Sequence, residues 1–141
     1  MASNPETLTC VSILVCDDIY RDEMTKKMVI VGTFNHVFSR TMPASLPKSC
    51  ILISLTNGNG DYDLSVVIEH EKSGNEIFRV GGPMTVKSPL DIVDLDIRLH
   101  DLKLPDVGKY WVQVREGARI LGQRPLIVQE LTGNPAEVEE S

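Results

Sequence analysis

Carboxylates crowd one short stretch of the chain, where Asp17, Asp18, Asp22 and Glu23 follow a strongly apolar run. A calcium ion takes about six to eight oxygen ligands, so acids gathered at one loop offer the right donor type. Arg21, Lys26 and Lys27 lie among them and neutralise part of that charge. Aspartates in turns also cap nearby amides. A solvated turn is therefore the first reading, and an end loop that binds a divalent cation or small polar ligand is the alternative. Asn57, Asn59, Asp61 and Asp63 show a calcium-like odd spacing, but Tyr62 and Ile68 occupy the places where an EF-hand needs Gly and Glu. A hairpin turn explains those four better.

Other constellations fail for similar reasons. His36, His70 and His100 sit on separate segments without zinc spacing and are expected to face solvent. The chain has neither a Gly-x-Ser-x-Gly elbow nor a phosphate-cradling glycine loop. Cys16 stands beside two acids, which raise a thiol pKa and make a poor nucleophile. The sequence thus assigns no catalytic residue, metal ligand or cofactor, and the chain reads as a non-enzyme.

The elements that carry these residues fit one domain. The chain has 141 residues, with 14 Lys+Arg against 20 Asp+Glu and a net charge of −6. That acidic balance argues against a nonspecific grip on nucleic acid or anionic lipid. The first residues lack a basic region and cleavage site, and the longest apolar stretch, Val11 to Val15, is too short to span a bilayer. Cys10 and Cys16 share one extended run, about 20 Å apart at ~3.3 Å per residue, too far to bridge. Cys50 reaches either only if folding happens to bring it there. Reduced thiols in a cytoplasmic protein are expected.

Period-two alternation dominates. Tyr62, Leu64, Val66 and Ile68 alternate with mostly polar residues, as do Val93, Leu95, Ile97 and Leu99, and then Tyr110, Val112 and Val114. Further strands are expected over residues 10–16, 28–38, 50–56, 76–80 and 119–129. The first and third of these are apolar on both parities, which suggests central strands or strands covered on both sides. Asn57-Gly58-Asn59-Gly60, Lys72-Ser73-Gly74-Asn75 and Glu116-Gly117-Ala118-Arg119 read as hairpin turns, the last of type II′. Gly81-Gly82-Pro83 reads as a bulge or strand end. Residues 39–49, with Pro43 and Pro47, are expected to cross between sheets. The fold class is all-β, an immunoglobulin-like antiparallel β-sandwich of about eight strands. Its bounds are a disordered N-terminus over 1–7, one domain over 8–130 and an acidic disordered tail over 131–141.

Asp106-Val107-Gly108-Lys109-Tyr110-Trp111-Val112 resembles the tyrosine-corner turn of immunoglobulin-like sandwiches, with Val112 where antibody domains place cysteine. The resemblance implies a disulfide-free sandwich whose Tyr110 hydroxyl bonds back to backbone. A wider set is similar to a family of small bacterial β-sandwich proteins of uncharacterised function. It comprises Cys16-Asp17-Asp18, Val31-Gly32-Thr33-Phe34-Asn35, Leu104-Pro105 with Gly108-Lys109-Tyr110, and Leu121-Gly122-Gln123-Arg124-Pro125-Leu126. That resemblance implies the fold and carries no activity.

Parity leaves Trp111, Gln113 and Arg115 on the face opposite Tyr110. A regular Gly117-Ala118 hairpin would place Arg124 alongside Trp111, with its guanidinium over the indole. Trp and Arg are enriched in binding hot spots. Trp111, Arg124, Gln113 and Arg115 are therefore the candidate partner-binding residues. The expected role is a non-catalytic protein-interaction or structural module. It would bind a protein partner or self-associate as a homo-oligomer, without nucleic acid or membrane.

Overall fold

A computed structural model describes residues 7–132, so the expected disordered tails lie almost wholly outside the described residues. Nine strands follow in order: β1 (Thr9–Arg21), β2 (Met28–Thr33), β3 (His36–Ser39), β4 (Ala44–Thr56), β5 (Gly60–His70), β6 (Glu76–Val86), β7 (Val93–Leu104), β8 (Gly108–Glu116) and β9 (Arg119–Glu130). They form a four-stranded sheet, β2-β1-β4-β7, packed on a five-stranded sheet, β3-β9-β8-β5-β6. With β2 and β3 set aside, these orders are A-B-E and G-F-C-C′ of an immunoglobulin-like sandwich.

Alternation sets what is buried. Ile13 and Val15 of β1 and Ile51, Ile53 and Leu55 of β4 meet Val66 and Ile68 of β5 and Tyr110, Val112 and Val114 of β8 in one core. The strands that are apolar on both parities are central, as expected. Cys16, Cys50 and Leu52 are also buried, in a second small cluster with Ile19.

Four expectations need correction. The run over residues 28–38 is two strands rather than one, which brings the expected count of about eight to nine. Gly32, at φ 67°, ends the extended geometry that an L side chain would continue, and Phe34 and Asn35 carry the chain to the other sheet. β3 therefore arrives from the opposite sheet and lies parallel to β9, the exception to antiparallel pairing. Asn57-Gly58-Asn59-Gly60 is not a hairpin: it joins β4 of one sheet to β5 of the other. Gly81-Gly82-Pro83 lies within β6, where an edge strand tolerates proline. The crossover between sheets is shorter than expected, since β4 already begins at Ala44.

The other two turns are hairpins, β5–β6 and β8–β9. Gly117 alone takes positive φ in the second, at 58°, as a type II′ turn requires.

Candidate functional site

β8 places the candidate face. Tyr110, Val112 and Val114 point into the core, so Trp111 lies on the outer surface of the five-stranded sheet, half-buried. Its indole Nε1 donates to Glu71 Oε2 at 2.8 Å, and Lys109 Nζ sits 5.3 Å from the ring centroid. The indole is thus held by a carboxylate at its edge and an ammonium over its face. Glu69 and Pro125 stand opposite Trp111 on its two sides.

The expected Trp111–Arg124 pair does not form. β8 and β9 pair regularly from Glu116↔Arg119 to Arg115↔Ile120, but Val114 then pairs with Gly122, leaving Leu121 as a one-residue bulge. That slip moves every later residue of β9 to the other face. Pro125 takes the place opposite Trp111, and Arg124 stands opposite Val112. Arg124 Nε and Nη2 donate to Asn35 Oδ1 at 3.0 and 2.7 Å, and Nη1 to the Ile13 carbonyl at 3.3 Å. Arg124 therefore ties β9 to β1 and to the β2–β3 link, away from the Trp111 face.

Gln113 and Arg115 share the face with Trp111 but spend their polar groups internally. Gln113 is only 3% exposed, against the expectation of a wet position. Its Nε2 donates to Gln123 Oε1 at 2.9 Å, and its Oε1 accepts from Arg115 Nε at 2.9 Å. Arg115 also reaches Glu69 at 3.1 Å and Glu76 at 3.7 Å. Glu76 holds Arg79 through two hydrogen bonds, the main reason its carboxyl is held below the usual range, with nearby Arg115 adding to the effect. This closed network buries Gln113, while Trp111 and Arg115 both stay half-buried on the outer face.

Two of the N-terminal carboxylates, Asp18 and Asp22, are committed to separate tasks. Asp18 meets Lys48 Nζ at 3.0 Å, the Ile19 amide at 2.8 Å and Arg98 Nη1 at 2.9 Å, which hold its carboxyl down to about 2. Arg98 also donates to the Ile19 carbonyl and to Asp96 at 3.1 Å. Asp22 Oδ1 accepts from the Thr25 amide at 2.8 Å and the Met24 amide at 2.9 Å, capping the β1–β2 turn. Among the described residues no group of three or more His, Cys, Asp or Glu is placed to hold a metal ion.

Two further positions differ from expectation. His70 is buried rather than solvent-facing: Nδ1 accepts the Ser73 amide at 3.3 Å, which leaves Nε2 to donate to the Val107 carbonyl at 2.9 Å. Its ring stands edge-on to Tyr110, with centroids 4.8 Å apart. Cys50 stands directly opposite Cys16 in the β1–β4 ladder, a neighbour that separation along the chain does not reveal. All three thiols are free.

Sequence reasoning missed one feature. A mostly apolar cleft of about 350 Å³ lies between edge strands β6 and β7, lined by Leu64, Val66, Leu95 and Ile97 together with Asp94 and Asp96. Gly81-Gly82 was its local sign, since a side chain at Gly81 would meet the Leu64 carbonyl at 2.5 Å.

No helix of the described residues is long and apolar enough to cross a membrane. A comparison with curated proteins finds no match. Among solved structures, the crystal structure of an immunoglobulin-like protein from Pseudomonas aeruginosa is similar in shape. It has 13% sequence identity and a TM-score of 0.49, covering 87% of this chain and 97% of that one. The model of a family of unknown function, DUF6941, matches residues 11–129, nearly the whole sandwich, and the chain belongs to that family.

Proposed function

We propose that this sandwich is a non-catalytic protein-interaction module that works in a reducing, cytoplasmic setting and binds through the outer face of its five-stranded sheet. One observation carries the reading: Trp111 is half-buried on the outer face of the sheet, held in place by Glu71 and Lys109, with Pro125 beside it. A large ring fixed before binding loses little rotamer freedom and desolvates a sizeable area on contact. The surrounding Arg115–Gln113–Gln123 network satisfies its own polar groups, so a partner need not compensate for them. Three free thiols support the compartment.

The test is a cross-linking pulldown from the native host with the wild-type chain and Trp111→Ala in parallel. A specific partner retained by the first should be weakened by about 2 kcal/mol or more in the second, on the hot-spot scale. The melting temperature should fall little, because the ring is not in the core. A partner held equally by both proteins would sink the reading, as would a variant that simply unfolds while Trp111→Phe still binds normally.

A further inference from the structure

Among the described residues the two sheets leave four strands with an open edge: β2 and β7 in one, β3 and β6 in the other. An open edge invites another strand, and proteins blunt it with charge, proline or shortness. β7 carries Asp94, Asp96, Arg98, Asp101 and Lys103 along its length. β6 carries Pro83 together with Arg79 and Glu76. β3 is only four residues long. β2 has none of these devices: Met28-Val29-Ile30-Val31-Gly32-Thr33 contains neither charge nor proline, and Ile30 and Val31 remain 36% and 40% exposed.

Charge lies at the two ends of that edge. Lys26 and Lys27 precede β2, exposed, and their side chains make no hydrogen bond or ion pair among the described residues. At the other end Asp17 lies across from Gly32, since Cys16 pairs with Thr33 and Asp18 with Val31. A Cβ on Gly32 would stand 2.4 Å from Asp17 Oδ2, so the missing side chain is what lets this carboxylate lie over the edge strand. Asp17 also lacks a hydrogen-bonded or ionic side-chain partner among the described residues. Asp22 and Glu23 share that turn with Arg21, Lys26 and Lys27, and the balance stays positive; the edge is therefore net cationic at its start, apolar in its middle and anionic at its end.

We propose that β2 is a self-association edge, on which a second copy of this chain adds its own β2 in antiparallel register about a two-fold axis. The axis reverses the strand, so it sets the Lys26 and Lys27 end of each copy against the Asp17 end of the other, once at each end of the interface. A parallel arrangement would stack like charge on like charge. Directly opposed residues must share a face of the continuous eight-stranded sheet. A register centred on Ile30 meets that condition, pairing Val29 with Val31, and the ladder stops where Gly32 leaves extended geometry. The contact is small for a stable interface, so the dimer is concentration-dependent, and its exposed ion pairs weaken with salt. It lies on the sheet opposite Trp111 and does not rest on the function proposed above.

Sedimentation velocity of the full chain, from micromolar to near-millimolar concentration and at low and high salt, tests this. The wild-type chain should move from monomer to dimer, with less dimer at high salt. Ile30→Lys places two ammonium groups at the two-fold axis and should weaken association by about tenfold or more. Asp17→Lys alone should also weaken it, whereas Asp17→Lys combined with Lys26→Asp and Lys27→Asp should restore it. Trp111→Ala should leave it unchanged. Melting curves confirm that each variant is folded. A chain that stays monomeric throughout overturns the proposal, and so does a dimer that survives both Ile30→Lys and Asp17→Lys.

Discussion

The Tyr110 hydroxyl donates to the Asp106 carbonyl at 2.8 Å and accepts the Asp106 amide proton at 2.9 Å, closing the β7–β8 turn on itself. The ring beneath it is wholly buried, and burial pushes the phenol pKa up despite those bonds. Tyr110→Phe keeps the ring and removes both hydrogen bonds. It should cost about 1–3 kcal/mol, two bonds at the usual net value, read from denaturant unfolding with unchanged m. A loss below half a kcal/mol would mean that water replaces the hydroxyl at the corner.

That corner was legible because every residue it needs lies within one heptapeptide. The facing of β8 was legible for a similar reason, since alternation of Tyr110, Val112 and Val114 is local. The partner of Trp111 was not, because it depends on Leu121 bulging one strand away. Gly122 marked the place: a side chain there would meet Cys10 Sγ at 2.8 Å, a contact visible only once β1 is packed on β9. Burial of Gln113 beneath Arg115 and Gln123 likewise needs three strands in register. The Asn57–Gly60 turn obeyed its local chemistry, with Asn57 at φ 70° and Gly60 at φ 130°, yet turn chemistry does not say which sheet receives the next strand.

Gly58 shows what that turn requires. It is buried without positive φ, and a Cβ would stand 2.8 Å from Leu8 Cδ1 and 3.1 Å from Val86 Cβ. The constraint is space rather than backbone geometry. Gly58→Ala should destabilise by about 1–3 kcal/mol through overpacking. Adding Leu8→Ala should give back part of that loss in a double-mutant cycle. Strict additivity of the two would show that they do not compete for the same volume.

Asp18 links three strands, since Lys48 belongs to β4 and Arg98 to β7. Its folded pKa, about 2, lies below the ordinary value of 3.8, chiefly because Lys48 donates to it, then the Ile19 amide and Arg98. A depressed carboxylate pKa stabilises the fold above the ordinary value, and this contribution fades as pH falls through the folded one. The melting-temperature gap between wild type and Asp18→Asn should therefore be constant near neutrality and shrink between about pH 4 and pH 2. Asp22, Glu76 and Asp101 are also lowered, so the difference between the two proteins is the quantity to follow. A gap that does not change with pH would assign Asp18 a purely steric role.

Cys16 and Cys50 face each other across the β1–β4 ladder and are completely enclosed. Burial raises both thiols, with Cys16 pushed up to about 11, and each neighbouring negative charge adds to the effect; Arg98 works the other way at Cys50. Only the thiolate attacks an alkylating agent, and at pH 8 a thiol near 11 holds roughly two-hundredfold less thiolate than an ordinary one near 8.5, before access is counted. Burial raises Cys10 as well, but it is only half-buried, so iodoacetamide on the native protein should modify Cys10 first and leave Cys16 and Cys50 nearly untouched, while the unfolded chain should take three labels without reductant. Peptide mass spectrometry against time measures both. Reductant should not move the melting temperature, because a structural disulfide would contribute about 2–4 kcal/mol and its loss would be visible. Rapid native labelling of Cys16 would show that the second cluster opens, and fewer than three labels on the unfolded chain would show that the facing pair had oxidised.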